Sequence, residues 1–377
     1  MIHNSARRKI RQGSITVQAA ILMVVLLAVV ALAVDVGTLY IGRTELQRTA
    51  DASAMAAAWE LLEARAASSK IPTAKLESQV RAQAREFAKL NSEDSARLSL
   101  GREDVELGYL SNPSDPASSF QTGGSQQPNA VHVEVKRTAD RNGRLPLYFA
   151  RVLGFTNSAV AAEATAALNV NFKGFQAPSD GSNLPILPFA LDLETWNELL
   201  AGSGKDEFRY DAKTGKVLPG KDGMREFNLY PQDTGSGGNR GTVDIGNPAN
   251  SVGDIARQIT GGITPADLDY VGGKLEFNAE GKLYLNGDPG ISASLGKSIG
   301  KITGQARMVP VFSDVTGNGN ASTFTIVKFV GIRVMQTELA GGDKRVIVQP
   351  AGVITLGGIP SDDPHTEFIY SPVRLVR

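Results

Sequence analysis

The chain has 377 residues, with Lys+Arg and Asp+Glu both at 39. That length exceeds one typical domain and suffices to bury its own cores, while the balanced charge removes any bulk electrostatic reason to expect a nucleic acid partner. Cysteine is absent, which excludes a disulfide framework, a thiolate metal site and a Cys nucleophile.

Residues 1–13 carry Arg7, Arg8, Lys9 and Arg11 and no acid. The apolar run Ile15–Val34 follows at once, interrupted only by Thr16 and Gln18 near its positive end. At about 1.5 Å per residue it makes a helix of about 30 Å, the thickness of a hydrocarbon core. Cations before the run and mixed charge after it place the N-terminus in the cytoplasm and the remainder outside. A signal peptide cut after Ala33 competes with this reading, because Ala31-Leu32-Ala33 has the small-x-small pattern. Against it, Val36, Leu39, Tyr40, Ile41 and Leu46 continue the helical spacing into the alanine-rich stretch Ala50–Ala58. The expectation is therefore one helix from about Ser14 to Ala67, a stalk rising from the bilayer.

Ser68-Ser69-Lys70-Ile71-Pro72 breaks that helix, and Thr73 is placed to cap the next. There, Leu76, Val80, Ala84, Phe87 and Leu90 recur at three- and four-residue steps, predicting an amphipathic helix. Val105, Leu107 and Tyr109 alternate, as do Val131, Val133 and Val135, predicting two half-buried strands. A short helix near Tyr148–Leu153 and an extended segment from Ala159 to Val170 complete a small α+β unit. Residues 173–182, rich in Pro, Gly and Ser, read as a linker. Beyond them the chain reads as β-rich. A hairpin is expected around Asn278–Gly281, strands at 308–312, 324–334, 346–348 and 353–356, and short helices near 191–200 and 252–259.

The fold class expected is α+β. Its parts are a basic cytoplasmic segment (1–13), a transmembrane helix (14–34) continuing into a stalk, a pilin-like unit of helix plus small antiparallel sheet (35–172), the linker, and a β-rich extracytoplasmic domain (183–377).

The order of residues carries a resemblance. Arg11-Gln-Gly13-Ser14, the apolar run, Asp35-Val-Gly37-Thr-Leu-Tyr40, then Leu46-Gln47 and Ala50-Asp51-Ala52 in an alanine-rich helix resemble the N-terminal region of TadG-like proteins of the tight-adherence, Flp-type pilus assembly system. Leu147-Tyr-Phe149-Ala150-Arg151-Val-Leu153-Gly154-Phe155, with Val160–Ala166, looks like the close of the same unit. The resemblance implies an inner-membrane, pseudopilin-like component of a pilus or secretion apparatus, not an enzyme. In type IV pilins a peptidase cuts after a Gly and a Glu follows at the fifth mature position; counted from Gly13, that position here is Gln18, which puts processing at Gly13 and filament incorporation in doubt. Many TadG-like proteins carry an Asp-x-Ser-x-Ser metal motif, which Asp51-Ala-Ser53-Ala-Met55 and Asp180-Gly-Ser182-Asn-Leu184 do not complete. No metal or cofactor is expected.

Other motifs are weaker. Gly235–Thr242 lacks the Gly-Lys-Ser/Thr ending of a P-loop and reads as a turn. Asp314–Asn320 echoes a calcium loop, but Thr325 stands where a bidentate Glu is needed. The three histidines, His3, His132 and His365, are remote from one another, and no Gly-x-Ser-x-Gly elbow is present, so no catalytic residue is assigned. Trp59 and Trp196 read as packing residues. Arg43, Gln47 and Asp51 fall at i, i+4 and i+8 on one helical face just outside the bilayer, fit either for pairing between subunits or for a solvated, locally ion-paired face. With Gln18, Asp35 and Tyr40 they form the candidate assembly set.

The expected partners are the lipid bilayer, other pilus or secretion components, and a second copy through the N-terminal helix, whose Ala19, Ala20, Ala28, Ala31 and Ala33 allow close backbone approach. Two further functions stay open: a membrane-tethered β domain binding cell wall, an adhesion target or secreted cargo, and an envelope hydrolase with a dispersed site.

Overall fold

In the computed structural model the described residues are 14–67, 73–91, 98–124, 126–230, 241–247, 251–289, 292–317, 322–340, 344–363 and 365–376. The basic segment with Gly13, the breaker 68–72, most of the glycine-rich loop and Asn318–Asn320 lie outside them.

Helix α1 spans Ser14–Ala67 without a break, the extent expected from the sequence. No proline interrupts it, and its C-terminal half is filled with alanine, the residue that loses least on entering a helix. Burial divides it by position. No part of its apolar N-terminal window is buried within the chain, with Leu22, Val25 and Leu32 at 61%, 53% and 66% exposed. Further on, Leu46, Ala50, Ala54, Ala57, Leu61 and Leu62 are fully buried, the three- and four-residue stripe of a helix lying on a core.

Helix α2, Thr73–Leu90, buries Leu76, Val80, Ala84 and Ala88. The expected stripe is thus displaced at its end: Leu90 is 70% exposed, because the buried row follows strict four-residue steps.

The chain divides into two compact units: Met1–Ser53 with Ala84–Val105 and Val133–Ala164, and Ala54–Gln83 with Glu106–His132 and Thr165–Arg377. The small strands are β1 (Val105–Gly108), β2 (Ala130–Arg137), β3 (Leu145–Pro146), β4 (Asn157–Ser158) and β5 (Val160–Ala167). A four-stranded sheet has the order β1, β2, β5 and the strand Arg374–Leu375. Val131, Val133 and Val135 of β2 are fully buried while His132 and Glu134 are not, the alternation of a half-buried strand.

The β-rich part of the second unit centres on Ser322–Glu338, which pairs antiparallel with Ala306–Thr316, Arg345–Pro350 and Leu283–Pro289. Phe329 of that strand and Trp196 are fully buried, in two separate hydrophobic clusters. Trp196 meets Phe227 and Phe368 edge-on and donates its indole N–H to Glu367 Oε2 at 2.6 Å. Trp59 differs from expectation. It is 45% exposed and donates to Glu63 at 2.9 Å instead of packing in a core.

Two β expectations need correcting. Phe172–Gln176, at the start of the expected linker, is a strand between Lys274–Glu276 and Gly358–Pro360, with Phe172 and Phe175 buried. The Pro/Gly/Ser composition just after it reports backbone freedom and says nothing of two aromatic side chains that a distant strand covers. The turn at Asn278 forms, with Asn278 N–H donating to Lys282 O at 2.9 Å. Its flanks do not pair with each other, however: Lys274–Glu276 pairs with Phe172–Gln176, and Leu283–Pro289 with Ser322–Glu338 and Gly241–Val243.

Candidate functional site

The apolar run ends at Val34, and the next residue, Asp35, fastens a remote loop to the helix. Asp35 is only 5% exposed. Its carboxylate accepts hydrogen bonds from three consecutive backbone N–H groups: Tyr148 to Oδ1 at 2.7 Å, Phe149 to Oδ2 at 3.1 Å and Ala150 to Oδ2 at 2.6 Å. These N–H groups open the 3-10 turn Ala150–Leu153, whose first donors have no partner within the turn. Asp35 supplies one from a distant part of the chain. Burial alone raises its pKa, but the bonds from Tyr148, Ala150 and Phe149 and the charge of Arg151 outweigh that and hold it below the ordinary aspartate value.

Two further contacts continue the same seam. The Leu145 side chain occupies the space that a Cβ on Gly42 would need, so β3 lies against the helix where glycine leaves room for it. One turn beyond, Gln47 donates through Nε2 to Glu163 O and to Asp51 Oδ1, both at 2.9 Å. Asp35, Gly42 and Gln47 thus bind the chain at 148–150, 145 and 163 in turn.

Of the candidate assembly residues, the structure brings Gln47 and Asp51 together and turns Asp35 inward onto the 148–150 backbone. Gln18, Tyr40 and Arg43 are exposed, with Tyr40 at 73%. The pairing of Asp35 with Tyr148–Ala150 is not visible in sequence, although both segments stand out there separately. An acid directly after an apolar run, and a second apolar motif lacking acids of its own, were the only signals.

A cation network holds the neighbouring loop. Arg141 pairs with Asp104 and Glu103, and Lys136 reaches Asp104 and Glu134, each at 2.9 Å. These contacts raise the pKa of both cations, through Glu103 first for Arg141 and Glu134 first for Lys136.

Two of the cavities lined by described residues lie in the second unit. One, about 420 Å³, is lined by Glu198, Glu226, Phe227 and Arg345. Burial raises the pKa of Glu226, and its carboxylate is committed to the N–H groups of Glu207 and Phe208 at 2.8 and 3.0 Å. The other, about 440 Å³, is lined by Arg65, Tyr109, Asn171, Glu367 and Tyr370. Arg65 Nε and Nη2 are buried there without a hydrogen-bond partner among the described residues. No group of three His, Asp or Glu side chains placed to hold a metal occurs among the described residues.

The fold and seam define a class: an α+β protein built on one helix long and apolar enough to cross a membrane, with a loop clamped to the point where the apolar run ends. The N-terminal region is similar to Tad-type pilus-assembly proteins. Residues 13–60 match the family model described as Flp pilus-assembly TadE/G-like, and residues 56–166 the model described as Tad-like Flp pilus-assembly. Residues 167–377 lie outside both matches, and no curated protein or solved structure matches the chain.

Proposed function

We propose that this protein is a non-enzymatic component of a Flp-type pilus assembly or secretion apparatus, held in the inner membrane by the N-terminal part of α1 with its bulk outside the cytoplasm. The observation that carries the proposal is the apolar window of α1, wholly uncovered by the chain within a region that matches pilus-assembly families. Eighteen apolar residues in a run of twenty, left in water, carry a large hydrophobic cost that lipid or other helices remove. Basic residues before the run favour a cytoplasmic N-terminus. Exposed Gln18, Tyr40 and Arg43 are the proposed contacts to other subunits, and the small residues along the helix favour close helix association.

The test is affinity purification of the full chain from membranes with site-specific photocrosslinkers at Gln18, Tyr40 and Arg43. Crosslinks to pilus or secretion components support the reading. Recovery of the intact chain from the soluble cytoplasm refutes it.

One observation favours a second role for the second unit. The Arg65 guanidinium in its cavity, with Nε and Nη2 buried and lacking a hydrogen-bond partner among the described residues, suits a carboxylate on a secreted protein or cell-wall peptide. Cargo or glycan retained by the wild type and lost in Arg65→Gln would support a tethered binding module.

A further inference from the structure

We propose that the hairpin tip at residues 147–156 is a second membrane contact, inserting into the lipid interface beside the spanning helix; this rests on the membrane-anchored reading above.

The contacts along α1 fix the hairpin's direction. Glu163 is held at Gln47, Leu145 at Gly42, and Tyr148–Ala150 at Asp35. From Gly42 to Asp35 is seven residues, about 10 Å of helix rise. The strand β3 therefore leads the chain toward the apolar run. The return strand starts at β4, where Asn157 and Ser158 pair with Pro146 and Leu145, and Leu147 N–H donates to Thr156 O at 3.0 Å. The residues between them form the end nearest the bilayer, level with the last apolar position of the span.

What this end presents is apolar. Val152 is 90% exposed, Leu153 77%, Phe155 64%, Tyr148 59% and Phe149 47%. The arrangement is braced by hydrogen bonds. Asp35 holds the incoming backbone, Phe155 N–H donates to Ala150 O at 3.1 Å, and Gly154 closes the turn at φ +90°, a conformation that glycine adopts without strain. Five large apolar side chains on a fixed turn in water are a standing cost, which lipid removes. Aromatic rings at this depth match the interfacial belt of membrane proteins.

The charge pattern points to lipid over a protein groove. Arg144 and Arg151 are exposed on the hairpin, and no acid occurs between Asp140 and Glu163. Cations flanking an apolar tip suit lipid phosphates, with the side-chain stems along the acyl boundary. The acid nearest the tip, Asp35, is sealed by backbone N–H groups and presents little charge to the headgroups.

The natural chain contains no cysteine, so single-cysteine variants of the full protein can be labelled cleanly. Leu153→Cys, Val24→Cys as the span reference and Ala117→Cys as an exposed reference would carry an environment-sensitive fluorophore, in vesicles of phosphatidylethanolamine and phosphatidylglycerol. The expected result is that the label at 153 is blue-shifted, quenched by acyl-chain nitroxides and shielded from aqueous iodide, at a shallower depth than at 24. The label at 117 should behave oppositely. Iodide-accessible emission at 153 with a lipid-quenched label at 24 overturns the hairpin contact and leaves the anchor standing. Iodide-accessible emission at 24 overturns the anchor, and this proposal with it. Shielding at 153 only when other envelope proteins are reconstituted assigns the tip to a protein partner and refutes the lipid contact.

Discussion

Asp244 offers the sharpest test of the electrostatics. It follows the strand Gly241–Val243, where burial and then the charge of Asp254 push its pKa from 3.8 to about 6. The local cation is already engaged: Arg257 pairs with Asp254 at 2.7 Å and with Asp267 at 2.6 Å. Among the described residues no donor reaches the Asp244 carboxylate. For an acid with a raised folded pKa, the folded state binds more protons than the unfolded one between the two values. Stability therefore falls as pH rises from about 4 to about 6, and the full penalty persists above that. The rise from 3.8 to about 6 corresponds to a ceiling of about 3 kcal/mol, and partial solvent exposure reduces it to about 1–2 kcal/mol. Asp244→Asn, which keeps the shape and removes the charge, should therefore stabilise the second unit at pH 7.5 and have little effect at pH 4. At about 2–4 °C per kcal/mol for a unit of this size, the midpoint should rise by about 2–8 °C. Scanning fluorimetry of the detergent-solubilised chain at both pH values measures it. An equal change at the two pH values, or destabilisation at pH 7.5, would show that Asp244 is not a buried charge held at a cost.

Asp35→Asn should loosen the 148–155 tip, since an amide offers one carbonyl oxygen where the carboxylate receives three N–H groups; hydrogen exchange by mass spectrometry should show faster exchange at 148–150. Because the folded pKa of Asp35 is depressed, its contribution is complete above the unfolded value and lost as pH falls below about 4, so the wild type should show the same loosening in acid. Gly331→Ala places a Cβ against the carbonyl oxygens of Ala351 and Phe368, backbone that cannot step aside, and should cost about 3 kcal/mol or more, seen as protease sensitivity confined to the second unit. Trp196→Phe keeps an aromatic ring in the core but leaves Glu367 Oε2 without its indole donor, and should lower stability by about 2 kcal/mol in urea unfolding. Little change there would mean that Lys328, 2.6 Å from Glu367 Oε1, suffices alone.

The elements legible from the residues alone are those whose signal is local. The apolar run, the absence of proline and the alanine-rich continuation specify α1 to its ends, because helix hydrogen bonds close within four residues. The alternation in β2 and the periodic short helices were legible for the same reason, as was the TadG-like order of motifs. Which segments meet emerges only once the chain is folded. Lys274–Glu276 and Leu283–Pro289 flank one turn yet join different sheets, and Phe172–Gln176 becomes a strand because Lys274–Glu276 and Gly358–Pro360 cover it. Asp35 read as a residue free to contact a neighbouring subunit, whereas its carboxylate is spent on the backbone of Tyr148–Ala150, more than a hundred residues away. Long-range partners of this kind leave no periodic trace in a single chain, since what selects them is shape and unsatisfied hydrogen bonding after collapse.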